Sequence, residues 1–416
     1  MLRPVLTSAP QVAALFVING FMIGIWGGLL ASLRDRIGIH EGDVSILLVT
    51  VGFSAAVTMQ VSGRLADRIG ARRPTIVGAV VMMVAFATLA AATSWPMLLV
   101  AACLLGLGNG AMDVSMNALA VNAERVARRR IMSTLHAFFS MGSLAGASAV
   151  LGANTVSSGP GGTVVVATLG AIVLVSALLL TISPRTPDTP IIAHRDEAGG
   201  RTRLPAITWL LAAMAVLFGL TEGTGWDWST IHVTDVTGVS PGVGAAGLAV
   251  FSAAMVLLRL VGDRVVERIG ARPALAGGAG IAAVGYLVNA TQDSFGTVLV
   301  GWVLVGTGVS VLAPLIYGMA GHLGGGRMLA VVAGAGYLTF LAGPALIGWT
   351  SLRWGMDGAM VVPLTTALLV AGLALALPRS AAEAATAEHP LGEPAPAQPG
   401  STGSTASTGS PGQQPA

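Results

Sequence analysis

Apolar residues run along this chain in long blocks, and short clusters of charge or of Gly, Pro and Ser break them at intervals. The blocks are too long for half-buried strands. They predict twelve helices over 11–33, 43–62, 75–93, 97–121, 131–152, 163–183, 207–226, 242–261, 274–290, 295–317, 329–350 and 359–377. Each approaches the ~20 residues that cross a bilayer as a helix. The longest internal break, 184–206, is polar and carries Arg185, Arg195, Arg201 and Arg203. The expected architecture is an all-α membrane protein: a six-helix bundle over 11–183, the loop 184–206, a second six-helix bundle over 207–378, and a tail over 379–416. The tail is Ala, Pro, Gly, Ser and Thr with few apolar groups, a composition that predicts disorder. The first block is too long for a signal-peptide core and is expected to stay as a helix.

Composition agrees with this pattern. Of 416 residues, 54% are hydrophobic and 10% charged, against roughly 25% charged in a soluble domain. Mean hydropathy is +0.78. An ordinary soluble enzyme is excluded. The pI near 9.7 invites a nucleic-acid reading, but the net charge is only +3 and all 22 basic residues are Arg.

Their positions explain the basicity. Arg3, Arg64, Arg68, Arg72, Arg73, Arg125, Arg128, Arg129, Arg130, the four of the central loop, Arg264, Arg268, Arg272, Arg327 and Arg379 all fall on one predicted side. Arg34, Arg36 and Arg353 fall on the other, and Arg259 at the predicted inner end of span 8. A bias of 18 to three predicts that the Arg-rich side, with both termini, is cytoplasmic. Trp95, Trp226, Trp228 and Trp354 lie near predicted outer helix ends, where indole rings anchor at the interface. Cys103 is alone, so no intramolecular disulfide is expected. Neither a phosphate-binding loop nor a metal-ligand cluster is recognisable, so no ATP, metal or other cofactor is predicted.

The two halves repeat. Gly63-Arg64-Leu65-Ala66-Asp67-Arg68-Ile69-Gly70-Ala71-Arg72-Arg73 follows span 2. After span 8 come Gly262-Asp263-Arg264, four more residues, and Ile269-Gly270-Ala271-Arg272-Pro273. The first segment resembles the loop 2–3 signature of the major facilitator superfamily, in the expected place. That resemblance covers about residues 11–378. It implies two six-helix bundles around a central cavity and transport by alternating access. It also implies a cytoplasmic gate in which Gly63 lets spans 2 and 11 approach and Asp67 pairs with Arg68 or Arg72. Gly70 belongs to the same gate, with Arg259, Gly262, Asp263 and Arg264 as its counterpart in the second half.

A narrower resemblance runs through spans 4, 5 and 7. Gly106-Leu107-Gly108 and Asp113-Val114-Ser115-Met116-Asn117 are similar to the acid-x-x-x-Asn arrangement of the fucose/proton symporter family and of the related YbjJ-type transporters. Glu124, Arg128–Arg130, the stretch His136 to Gly142, and Glu222 to Trp228 continue the likeness. The sugar symporters also carry an acid on span 1, where this chain has Asn19 as its strongly polar residue.

Candidate transport residues follow from depth and spacing. Asn109, Asp113 and Asn117 recur every four residues and share a helix face. Asp113 lies roughly 12 Å from the inner end of its helix at 1.5 Å per residue. An acid at that depth is a functional-site candidate by default, here for a coupled proton. His136 could bind a substrate hydroxyl, relay a proton, or simply cap a backbone carbonyl. Glu222 is a second candidate acid, unless it faces an open outer vestibule. Trp226 is either an interface anchor or a stacking platform, and Tyr317 and Tyr337 are candidate substrate contacts. Gly106-x-Gly108-x-Gly110 lies mid-membrane with no strand before it, which reads as close helix packing rather than a dinucleotide fingerprint.

The expected function is a secondary transporter in a bacterial inner membrane, working as a monomer. Its partners would be the lipid bilayer, a proton and a small polar solute of sugar-like character, with uptake by symport. Nucleic acid is not expected. The alternatives are a proton-driven exporter of drugs or metabolites and, in another class, a transport-inactive sensor. Scattered acids argue against an enzyme. Span 5 lacks the Gly-Pro element typical of drug/proton antiporters of this superfamily, which leans towards uptake.

Overall fold

The computed structural model describes residues 9–127, 131–157, 159–182 and 204–378. The tail, most of the central loop and Arg128–Arg130 lie outside the described residues. The described chain forms α1 Pro10–Ile37, α2 Glu41–Ile69, α3 Arg72–Ala91, α4 Trp95–Ala127, α5 Met132–Val156 and α6 Pro160–Ile182. The second half continues with α7 Ala206–Thr237, the short α8 Pro241–Gly244, α9 Ala246–Ile269, α10 Ala271–Thr291, α11 Phe295–Val309, α12 Leu312–Tyr337, α13 Thr339–Ala359 and α14 Val361–Ala376. Ten apolar stretches are long enough to span a bilayer. The shorter apolar segments Gly161–Val173 and Val361–Ala376 stand where spans 6 and 12 were expected. Span 10 is broken at Ser310–Val311 and span 11 at Leu338.

Several helices outrun the predicted spans, for one physical reason. Hydropathy marks only the part of a helix that lies in hydrocarbon, whereas backbone hydrogen bonding continues through charged turns beyond it. α2 therefore reaches Ile69, α7 reaches Thr237 and α9 reaches Ile269. The last two extensions move functional residues. Arg259 is ten residues inside the end of α9 rather than at a loop. Trp226 and Trp228 are well inside α7, and Trp228 is only 1% exposed, so neither is an interface anchor. Trp354, by contrast, is exposed. It meets Trp349 edge-on, and the Arg353 guanidinium lies 4.6 Å over the Trp349 ring.

Small residues set the packing inside each half. A Cβ on Gly20 or Gly24 of α1 would run into the backbone of Phe139 or Ser143 on α5, and one on Gly142 or Gly146 of α5 into Val17 or Phe21 on α1. Two four-residue glycine spacings thus let the helix backbones touch, the close approach that drives association in lipid. Gly106 and Gly110 of α4 press on Val51 and Ala55 of α2, while Gly108 presses on Gly78 and Met82 of α3. The alternating glycines serve two neighbours at once.

The repeat holds at the ends of matching helices at an offset of 200 and corrects the sequence register. Gly38 and Gly238, and likewise Gly70 and Gly270, lie 200 positions apart with matching positive φ of 73° and 68°, and 87° and 86°. Gly78 meets Gly108 as Gly278 meets Gly308. At this offset Asp67-Arg68-Ile69-Gly70-Ala71-Arg72 pairs without a gap with Glu267-Arg268-Ile269-Gly270-Ala271-Arg272. Asp263-Arg264 instead matches Gly63-Arg64, and the four apparent extra residues disappear. The acid equivalent to Asp67 is Glu267.

The halves meet mainly through α5 against α9 and α2 against α13, with a smaller contact of α1 and α7. Beyond the middle these contacts lie towards one end. Arg34 pairs with Asp235 at 2.6 Å, Asn154 abuts Gly242, and Ser45 abuts Gly348. At the Arg-rich end Gly63 and Gly262 each face a side chain of their own half, Val114 at 3.6 Å and Val311 at 3.5 Å. Among the described residues Asp67 forms no ion pair. Among the described residues the halves are joined at the middle and at the end opposite the Arg-rich one, which is closed.

Candidate transport site

The polar groups of the interior come from both halves. In the first, Asp113 and Asn117 sit one turn apart on α4, and the Asn117 amide donates to the Asp113 carbonyl at 2.8 Å and to its carboxylate at 3.4 Å. No cation pairs with Asp113 among the described residues. Asn109, a turn earlier, has its side-chain oxygen buried without a donor among the described residues. Asn19 is shut into the packing of α1 on α4, 1% exposed, its amide against the Met116 sulfur at 3.7 Å. It supports that interface and does not reach solvent. His136 of α5 is exposed, with its ring edge-on to Phe16 at 5.4 Å.

The centre of the second half is a buried ion pair. Arg259 of α9 donates to Glu222 of α7 at 3.3 Å, with the side chains only 11% and 17% exposed. It also donates to the Ser140 hydroxyl of α5 at 2.6 Å. That bond crosses between the halves, and Ser143 and Ser252 continue the contact at 3.4 Å. Glu222 therefore does not face an open outer vestibule, and Arg259 is at the middle of the interface rather than in the loop gate. One turn beyond Glu222, Trp226 stands edge-on between Phe139 and Phe251, at 6.0 and 5.3 Å.

Two tyrosines connect the acids. Tyr317 is within electrostatic reach of Glu222 and Tyr337, and Tyr337 within reach of Asp113. Tyr337 is exposed and stacks on Phe340 at 6.0 Å. The structure thus brings Asp113, Asn117, His136, Glu222, Trp226, Arg259, Tyr317 and Tyr337 around one interior region. Asn19 and the gate residues Asp67, Arg68, Gly70 and Arg72 lie apart from it.

Ser140 was not singled out by sequence reasoning, although it lies in the His136–Gly142 stretch. Its significance depends on a partner 119 residues away. Arg34 and Asp235 were missed similarly. Both are loop-flanking charges whose pairing appears only when α1 and α7 converge. Tyr286 of α10, whose hydroxyl donates to the Thr221 carbonyl, had no sequence signal at all.

A family model described as Major Facilitator Superfamily matches residues 12–231, slightly more than half of the chain. The chain belongs to the major facilitator superfamily. An uncharacterized transporter of Sinorhizobium fredii is 32% identical over 83% of this chain and 92% of its own length. Among solved structures, the nucleoside transporter NupG superposes with a TM-score of 0.69 at 12% identity, covering 88% of this facilitator and 98% of NupG. The transporter FucP in its outward conformation gives 0.60 at 16% identity, over 88% and 97% of the two chains. At such identities the likeness is one of fold. The protein is a multi-pass membrane transporter.

Proposed function

We propose that this facilitator takes up a small polar solute of sugar-like character together with a proton, across the inner membrane of a bacterium, as a monomer. The carrying observation is Asp113, an acid in the span interior whose bonded side-chain partner is the neutral Asn117. A charge there costs about 2.5–3.5 kcal/mol on insertion scales, and binding a proton removes that cost. Asn117, His136, Tyr317 and Tyr337 supply hydroxyl-recognising donors and acceptors nearby, and Trp226 offers an apolar ring edge. Arg-rich loops stay in the cytoplasm, and the ion-paired end faces away from them, so the conformation is read as the one that releases an imported solute into the cell. A single chain carries every group in the site, in keeping with a working monomer.

Counterflow in proteoliposomes tests the transport reading. Vesicles preloaded with an equal mixture of glucose, sorbitol and glucuronate are expected to accumulate at least one labelled member transiently. Wild-type protein that gives no counterflow with any of them contradicts a carrier of sugar-like solutes.

A further inference from the structure

Among the described residues, Arg34 and Arg259 each bridge the halves, and they are satisfied very differently. Arg34 grips Asp235 with two parallel bonds of 2.7 and 2.6 Å and adds Glu41 at 3.0 Å. This is the planar fork-to-carboxylate geometry that gives guanidinium its strength. Arg259 meets only one oxygen of Glu222, at 3.3 Å. Its other bond goes to the neutral Ser140, and its Nε is buried without an acceptor among the described residues. A buried guanidinium normally has its donors satisfied. This one is under-coordinated, and the gap is on the kind of edge that a second carboxylate oxygen would fill.

Its surroundings lead outward to solvent. His136 lies within electrostatic reach of Arg259, is exposed, and sits one turn from Ser140 on α5. A ligand entering from the Arg-rich end meets His136 first and Arg259 next. Glu222 is faced by Arg259 from α9, by Tyr286 from α10 and by Tyr317 from α12. Trp226 lies one turn further along its own helix.

We propose that Arg259 and Ser140 form a carboxylate subsite that Glu222 half-fills in the empty transporter, and that the transported solute is a polyhydroxylated acid of the sugar-acid kind. The proposal rests on the transport reading above and narrows its substrate class. The solute carboxylate takes the fork of Arg259, while its hydroxyls meet His136, Asn117 and the tyrosines. Glu222, displaced, is left as a buried carboxylate without its cation, a costly arrangement. It receives the proton that enters on Asp113, passed along by Tyr337 and Tyr317, which lie within electrostatic reach of the two acids, so anion binding and proton binding occur together and both depend on Asp113. A neutral sugar would leave the Arg259 donor unfilled. An ammonium-bearing sugar would bring a second cation beside it.

Trp226 provides the readout. The full chain, purified in detergent, is titrated with glucuronate, glucose and glucosamine while Trp fluorescence and melting temperature are followed. Glucuronate is expected to bind at least tenfold more tightly than glucose or glucosamine. Glu222→Gln, which removes the resident carboxylate, should bind glucuronate at least as tightly as wild type. Arg259→Gln is made in the Glu222→Gln background so that no unpaired charge is left buried, and its ligand-free melt reports folding. This double variant should lose tenfold or more. Three results would each overturn the subsite: no glucuronate binding, glucose or glucosamine binding as tightly as glucuronate in wild type, or a folded double variant that binds glucuronate like Glu222→Gln. A protein that prefers glucose yet gives counterflow loses only this proposal and keeps the transport reading.

Discussion

Arg259 shows how much a single residue's depth can change its meaning. Read from hydropathy it closes span 8 and joins a loop gate. In the fold it lies ten residues before the helix end and ties Ser140 of one half to Glu222 of the other. The Ser140 bond can be tested alone. Hydrogen bonds to charged groups contribute about 1.5–3 kcal/mol, so Ser140→Ala should weaken the closed end roughly tenfold in population, while Ser140→Thr keeps the hydroxyl and the closure. A cysteine introduced as Ser45→Cys, in a Cys103→Ser background, reports opening through its rate of maleimide labelling. Asp113 and Asn117 are the opposite case. Their relation is local, one helical turn, and spacing alone made it legible. The ion pair of Glu222 needs three helices to be placed before it exists, and no local pattern encodes that.

At the scale of elements, glycine spacing does for α1 and α5 what apolar burial does in water. Lipid offers little hydrophobic drive for helices to associate, so close van der Waals contact must supply it. Gly142→Val places a side chain against the backbone of α1, and overpacking of this kind costs about 1–3 kcal/mol. A detergent melt should show a clearly lowered Tm, whereas Gly170→Val, with open space around it, should leave the melt unchanged. The helices themselves were visible in the sequence because twelve apolar blocks separated by Arg and Gly leave little freedom of interpretation. Their ends were not, since charged turns continue a helix without any hydropathy signal. The repeat was half-visible. The eye pairs Asp67-Arg68 with Asp263-Arg264 because the dipeptides match. The structure pairs it with Glu267-Arg268, because Ile69-Gly70 and Ile269-Gly270 end their helices identically.

For the whole molecule, the ion pairing between the halves lies at the end away from the Arg-rich loops. At the closed end Asp35 and Asp235 are repeat equivalents, and Arg34 bonds both, at 3.3 and 2.6 Å. One arginine of the first half therefore holds the matching acids of both halves. Opening this end must part Arg34 from Asp235 while Asp35 and Glu41 remain with it. Asp235→Asn should raise the Ser45→Cys labelling rate several-fold. Asp67→Asn, at the Arg-rich end, where Asp67 forms no ion pair among the described residues, should leave that rate unchanged. Equal effects from the two variants would mean that the Arg34 cluster is not what holds the halves together.

The central claim is that Asp113 carries the proton that accompanies the solute. It is tested most directly by proton movement into proteoliposomes holding a trapped pH indicator, after external addition of the glucose, sorbitol and glucuronate mixture. Wild type should acidify the lumen when the mixture is added. Asp113→Asn should give no acidification yet still exchange labelled solute across the membrane, because exchange needs no net proton transfer. Acidification by Asp113→Asn at the wild-type rate would contradict the account.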